Sequence, residues 1–189
     1  MLILWETFLL GLLACLGTNV DNLLLVLACG SAGRARLDAA LLALVLAVVV
    51  GLALLLSLGA DLAMPGMIAW VGLVPLAMGI YEAWPRPRAE RADTRSVLPT
   101  SALALTLATN SVDTLLVQAA LFADLSEGYH LPALLGSLTT AGLLAALAYV
   151  LLSHRGAGSR LLAYASRARP LILIAVGLLL LMDTGFDVQ

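Results

Sequence analysis

Two aspartates stand in the middle of long apolar runs of this chain, and each keeps the same company. Asp21 lies in Thr18-Asn19-Val20-Asp21-Asn22-Leu23-Leu24-Leu25-Val26, and Asp113 in Thr109-Asn110-Ser111-Val112-Asp113-Thr114-Leu115-Leu116-Val117. A carboxylate at the centre of a membrane helix costs about 2.5–3.5 kcal/mol on insertion scales, so acids found there mark ion or proton pathways. The candidate ligands are Asn19, Asp21, Asn110 and Asp113, with Thr18, Asn22, Thr109 and Thr114 as second-rank ligands or hydrogen-bond partners. Carboxylates, amides and hydroxyls together form a set of hard oxygen donors. Such a set can hold a divalent cation, with Asp21 and Asp113 as its charged metal ligands, and can exchange that cation for protons. No Arg or Lys stands in either run to neutralise the acids. A purely structural reading, with these groups hydrogen-bonding between helices, accounts for single Thr or Asn residues. It accounts poorly for an Asn and Asp pair that recurs in both halves of the chain.

At about 100° per residue, Thr106, Asn110, Asp113 and Thr114 fall on one stripe of a helix. In the first run Cys15, Thr18, Asn22 and Cys29 share a face that Asn19 borders, while Asp21 points to one side. A break at Gly17 is expected to turn Asp21 inward, as in the discontinuous helices of transporters. Cys15 reads either as a small apolar packing residue or as a soft metal ligand that would favour cadmium or zinc over magnesium and calcium. Cys29, at the end of the run, is a weaker candidate for the same role.

The elements that must carry these residues are transmembrane helices. Of 189 residues, 62% are hydrophobic and 12% charged, where soluble domains run near 45–50% apolar and about 25% charged. Mean hydropathy is +1.04. A spanning helix needs about 20 mostly apolar residues, and six stretches qualify, at about 5–28, 39–60, 67–83, 97–123, 132–153 and 170–182. The long apolar runs lack the alternation of membrane β-strands. The start of the chain has neither the basic flank nor the cleavage site of a signal peptide and reads as a retained span. Pro75 among glycines is expected to kink the third span. His130 reads as a loop residue, and Tyr81, Glu82 and Asp183 as residues at span ends.

All ten basic residues are arginines, and they fall in the first, third and fifth connections: Arg34 and Arg36; Arg86, Arg88, Arg91 and Arg95; Arg155, Arg160, Arg167 and Arg169. Cytoplasmic loops hold the excess of basic residues, so both termini are expected outside. The two Asn and Asp motifs divide the chain into halves of three spans, about 1–84 and 97–189, joined by a cytoplasmic Arg/Pro linker at 85–96. An odd number of spans per half inverts the second half relative to the first, the plan of many secondary transporters. The expected fold is therefore a single all-α integral membrane domain, six transmembrane helices arranged as two inverted three-helix repeats.

These residues resemble the cadmium resistance transporter family, within the lysine exporter superfamily of small six-span exporters. Gly17-Thr18-Asn19-Val20-Asp21-Asn22-Leu23 is similar to that family's opening Thr-Asn-Ile-Asp-Asp motif, with Asn22 in place of the second acid. Ala108-Thr109-Asn110-Ser111-Val112-Asp113-Thr114 is similar to its Ala-Asn-Gly-Gly-Asp-Asn motif, with Thr114 in place of the last Asn. The segment from Val71 to Ile80 is similar to its Gly-Leu-Leu-Pro-Ile-Tyr-Leu-Gly-Ile third span. The resemblance implies export of cadmium or a similar divalent cation across the cytoplasmic membrane of a prokaryote. No cofactor is expected beyond the transported cation and protons.

Other classes fit less well. The formal net charge is -2, and no clustered basic face offers itself to nucleic acid. An exporter of a small cationic or zwitterionic metabolite such as an amino acid is the nearest alternative. A six-span thiol-redox protein would carry reactive cysteines in both halves. Here Cys15 and Cys29 lie about 20 Å apart along one helix. No His or Lys inside a span is there to activate a nucleophile, so no enzyme is expected. Lipid and the metal cation are the expected partners, and glycine-rich surfaces are compatible with a homodimer.

Overall fold

The computed structural model describes residues 2–63, 73, 76–77, 80–81, 97–153, 171 and 174–178, and every regular element among them is a helix. Helix α1 runs over Leu2–Cys29. A single 3-10 turn, Ala32–Arg34, leads into α2, Ala35–Ala63. The next two helices are α3, Thr100–Asn110, and α4, Val112–Asp124. A second 3-10 turn, Glu127–Tyr129, precedes α5, His130–Ser153. Three stretches, Leu4–Cys29, Ala32–Gly59 and His130–Ser153, are long and apolar enough to cross a membrane, and α3 and α4 reach that length and hydropathy together as a pair bent by 45°. The expected third and sixth spans, the 85–96 linker and Asp183 lie outside the described residues apart from a few helical positions. Two of those positions meet: a Cβ on Gly177 would stand 2.8 Å from Leu76 Cα.

The elements follow from the residues. The α1 sequence contains no proline, and its Thr18, Asn19 and Asn22 side chains are buried. Asp38 lies in the first turn of α2, where a carboxylate is favoured by the helix dipole, and its Oδ2 accepts a bond from the Ser31 backbone N at 3.0 Å. This fixes the sharp connection from α1 and starts α2 within the expected loop. Pro132 in the first turn of α5 has no intrahelical bond to lose. His130 is a correction to the expectation of a loop residue. It is the first residue of α5 and is buried, with Nε2 at 2.9 Å from both Phe122 O and Leu125 O, so it staples the α4–α5 turn.

Two contacts set the relative directions. Gly11 and Gly136 let the backbones of α1 and α5 touch, since a Cβ on either would collide with the other helix. Ser137 Oγ donates to Gly11 O at 3.1 Å and Thr140 Oγ1 to Leu12 O at 3.0 Å. Further along, Gly30 lies against Leu152, so α1 and α5 run parallel. Helices α3 and α4 run the other way along α1. Leu98 N donates to Cys29 O at 3.1 Å, and Arg34 Nη2 donates to Leu98 O at 2.7 Å. The first connection, the start of α3 and the end of α5 therefore gather at one end of the bundle, where Arg34 and Arg36 share a pocket with Tyr149 and Ser153.

The buried apolar side chains form two layers. One, at the arginine end, contains Leu23, Val26, Leu42, Leu46, Leu103 and Leu107. The other contains Ala14, Cys15, Val50, Val117, Leu121 and Phe122. On α1 the layers are separated by residues 16–22, and on α3–α4 by residues 108–116. Both motifs sit in that gap. Large aliphatic side chains such as Leu44, Leu55, Leu105 and Leu143 cover the outside of the bundle, the surface that a bundle immersed in hydrocarbon presents.

Candidate functional site

The gap between the apolar layers is filled by a hydrogen-bonded cluster that joins the two motifs. On α1, Thr18, Asn19 and Asn22 are fully buried. Asn19 Nδ2 donates to Cys15 O at 2.8 Å and lies 3.6 Å from Cys15 Sγ. Asn22 Nδ2 donates to Asn19 Oδ1 at 2.7 Å and, across to the other helix, to Ser111 Oγ at 2.9 Å. From the second motif, Asn110 Nδ2 donates to Asn22 Oδ1 at 2.9 Å, and Thr114 Oγ1 donates to Asn19 Oδ1 at 3.1 Å. Interhelical amide and hydroxyl bonds in a membrane average about 0.6 kcal/mol each, so three of them tie these helices by roughly 2 kcal/mol.

The break that shapes the cluster lies between α3 and α4, at Ser111. Its backbone, φ -93 and ψ 10, ends α3 and starts α4, and its Oγ donates to Leu107 O at 2.7 Å. The C-terminal carbonyls of one half-helix and the N-terminal amides of the next thereby meet inside the bundle. The first of these ends favours cations and the second anions. Asp113 stands in the first turn of α4, half-buried, and its Oδ1 accepts a bond from Thr114 N at 2.8 Å. Asp21 is half-buried on the edge of the α1 face that carries Thr18 and Asn22.

Compared with family models, curated proteins and solved structures, the chain matches none of them. The site therefore stands on its own residues.

Two expectations are corrected. The break expected at Gly17 is not there: α1 continues through Gly17, which is buried, and Asp21 is half-buried on that unbroken helix. The single polar stripe of Thr106, Asn110, Asp113 and Thr114 is divided by the bend at Ser111. Thr109, expected as a second-rank ligand, is exposed, and its hydroxyl is 3.0 Å from Leu105 O and from Thr106 O on its own helix. It stands apart from the cluster. Asn19, Asn22, Asn110, Thr114 and Thr18 are brought together, with Cys15 in contact through Asn19.

Sequence reasoning missed Ser111, which holds the break and bonds Asn22. The signal was present: Ser followed two residues later by Asp is the pattern of a helix start with an acid in the first turn, here in the middle of an apolar run, and Ser111 takes the N-cap position although its hydroxyl makes no cap bond. Among the described residues no group of three or more His, Cys, Asp or Glu side chains converges. Asp113 adjoins the cluster through its bond from Thr114 N, and Asp21 precedes Asn22 on α1.

Proposed function

We propose that the chain is a secondary transporter of six spans in two inverted repeats, which exports a divalent cation of the cadmium kind from the cytoplasm in exchange for protons. The observation that carries this reading is the broken fourth span held against the intact first span by Asn22, which bonds Ser111 and Asn110 across the break. A structural polar contact needs neither a helix break nor an acid on each side of it. A transport site uses both, because half-helix ends and paired carboxylates compensate an ion that has left its water. The oxygens of Asn19, Asn22, Asn110 and Thr114 would serve as neutral ligands beside Asp21 and Asp113, and protons would reload the two acids as the ion leaves. The likeness of both motifs to the cadmium resistance transporter family supports the same class. The gathering of Arg34 and Arg36 at one end fits a prokaryotic cytoplasmic membrane with both chain termini outside.

A second reading keeps the site and changes the cargo. The Asn19, Asn22 and Asn110 amides donate as well as accept, which suits a small cationic or zwitterionic metabolite such as an amino acid. Metal accumulation in metal-sensitive cells expressing the chain separates the two, run across cadmium, zinc, manganese, cobalt and nickel beside Asp21→Asn and Asp113→Asn. Lower accumulation of one ion, lost in both variants at equal expression, supports metal export and names the ion. Unchanged accumulation of every ion by a well-expressed protein refutes metal export and leaves the metabolite reading.

A further inference from the structure

The outer apolar layer holds one amide that the central cluster does not use. Gln118 of α4 is fully buried among Val117, Leu121 and their neighbours. It continues the stripe of Ser111 and Thr114, four residues or about 6 Å beyond Thr114 and away from the arginine end. Across the helix contact, Ser137 Oγ of α5 lies 3.1 Å from Gln118 Oε1, 3.1 Å from Gly11 O and 3.0 Å from Ala133 O. One hydroxyl proton faces three acceptor oxygens there, and it can serve one of them well. With Oε1 turned to Ser137, Gln118 Nε2 is also left with no partner. Turning the amide over gives Nε2 an acceptor, since it then donates to Ser137 Oγ and the serine proton passes to the carbonyl of Gly11 or Ala133. The atom left over is then Gln118 Oε1, a buried carbonyl oxygen beside the apolar side chains of Val117 and Leu121.

We propose that Gln118 Oε1 is a second cation ligand, a station between the central cluster and the outer face. The inference rests on the cation-export reading and adds to it a route across the outer apolar layer. A neutral oxygen suits that position. It lowers the cost of passage for a partly dehydrated ion but holds it more weakly than Asp21 and Asp113 do, so the ion moves on. Ser137 holds the amide in place through its bond to Nε2.

The test uses the full chain in liposomes with cadmium and zinc as probes, following flux, and in detergent by calorimetry for binding. Gln118→Met keeps the length of the side chain and removes its oxygen. It should bind the ion at the central site with affinity near that of the unmodified chain and move it roughly tenfold more slowly or worse. Gln118→Glu adds a charge at the station and should increase the number of ions bound per chain. Flux through Gln118→Met at the unmodified rate per folded molecule overturns the station and leaves the central site standing. If Gln118→Met does not fold, Gln118→Glu decides, and unchanged stoichiometry and flux in that variant overturn the proposal. An unmodified chain that neither binds nor moves either ion refutes cation export itself, and the station with it.

Discussion

Gly136, where α5 crosses α1, carries a stability prediction whose sign can be worked from distances. A Cβ there would stand 2.9 Å from Leu12 N and 3.0 Å from Phe8 C, and closer still to Phe8 O, whereas ordinary contact begins at 3.4 Å. The neighbours are backbone of a long helix and cannot swing aside, so Gly136→Ala must part the two helices by about half an ångström or more. Overpacking of that kind costs about 1–3 kcal/mol. The Ser137 to Gly11 and Thr140 to Leu12 bonds stretch with it, at about 0.6 kcal/mol each. Alanine returns roughly 1 kcal/mol of helix propensity. The net expected loss is about 1–3 kcal/mol. On the same helix, a methyl group added at Gly142 would meet nothing within 4 Å, so Gly142→Ala should gain up to roughly 1 kcal/mol. Reversible unfolding of the full chain in mixed micelles measures both. Equal stability changes at the two positions, or a Gly136→Ala variant at least as stable as the unmodified chain, would refute the close crossing of α1 and α5.

The remaining predictions concern the cluster and the ends of the bundle. A double-mutant cycle of Asn22→Ala with Ser111→Ala should show a coupling of roughly 0.5–1.5 kcal/mol in the same unfolding assay, because each removes the same bond; additivity would mean that the bond contributes nothing. Thr114→Val should weaken transport while Thr109→Val leaves it unchanged, since only Thr114 reaches Asn19; equal effects in a flux assay would contradict that division. Arg34→Ala should destabilise the chain by about 1–2 kcal/mol through loss of its charged hydrogen bonds to Leu98 O and Thr100 Oγ1, checked by thermal unfolding, where no change would remove the clamp from the argument. In a Cys15→Ser, Cys29→Ser background, Gly33→Cys should react with an impermeant thiol reagent only from the cytoplasm and Ser126→Cys only from outside; the reverse pattern would invert the proposed orientation.

Much of the helical framework was legible because hydrophobic length is a strong signal. The first, second and fifth spans lie within a few residues of α1, α2 and α5, where nothing but apolar run length and turn residues had to be read. The boundaries shifted where a single polar bond decided them: Asp38 accepts from Ser31 N and draws the start of α2 into the expected loop, and the buried His130 ring draws the start of α5 upstream. The cluster was legible in its residue types, since Thr18, Asn19 and Asn22 of the first motif are matched by Thr109, Asn110 and Thr114 of the second. Gln118 was not, because a lone Gln in an apolar run reads as a packing residue until the hydrogen count around Ser137 is known.

The place of the break follows from the way the two motifs differ. Both read Thr-Asn, then Val-Asp, then a run of Leu, but the second carries one extra residue, Ser111, between Asn110 and Val112. In an unbroken helix that residue would turn everything after it by about 100° relative to Asn110. Val112, Asp113 and Thr114 would then leave the face that their counterparts Val20, Asp21 and Asn22 occupy in the first span. The chain takes up the insertion locally, as a bend of 45° at Ser111, and serine is a residue type whose hydroxyl can bond a carbonyl of the turn before and so bend a helix, as Ser111 Oγ does to Leu107 O. The first span lacks the insertion and stays straight. The two motifs therefore present matching groups to each other while only one of the two is broken, and its half-helix ends are those of α3 and α4. Gly17, which drew the expected break to the first span, is instead a buried position within α1: backbone freedom permits a break, whereas an extra residue in an otherwise matched motif favours one.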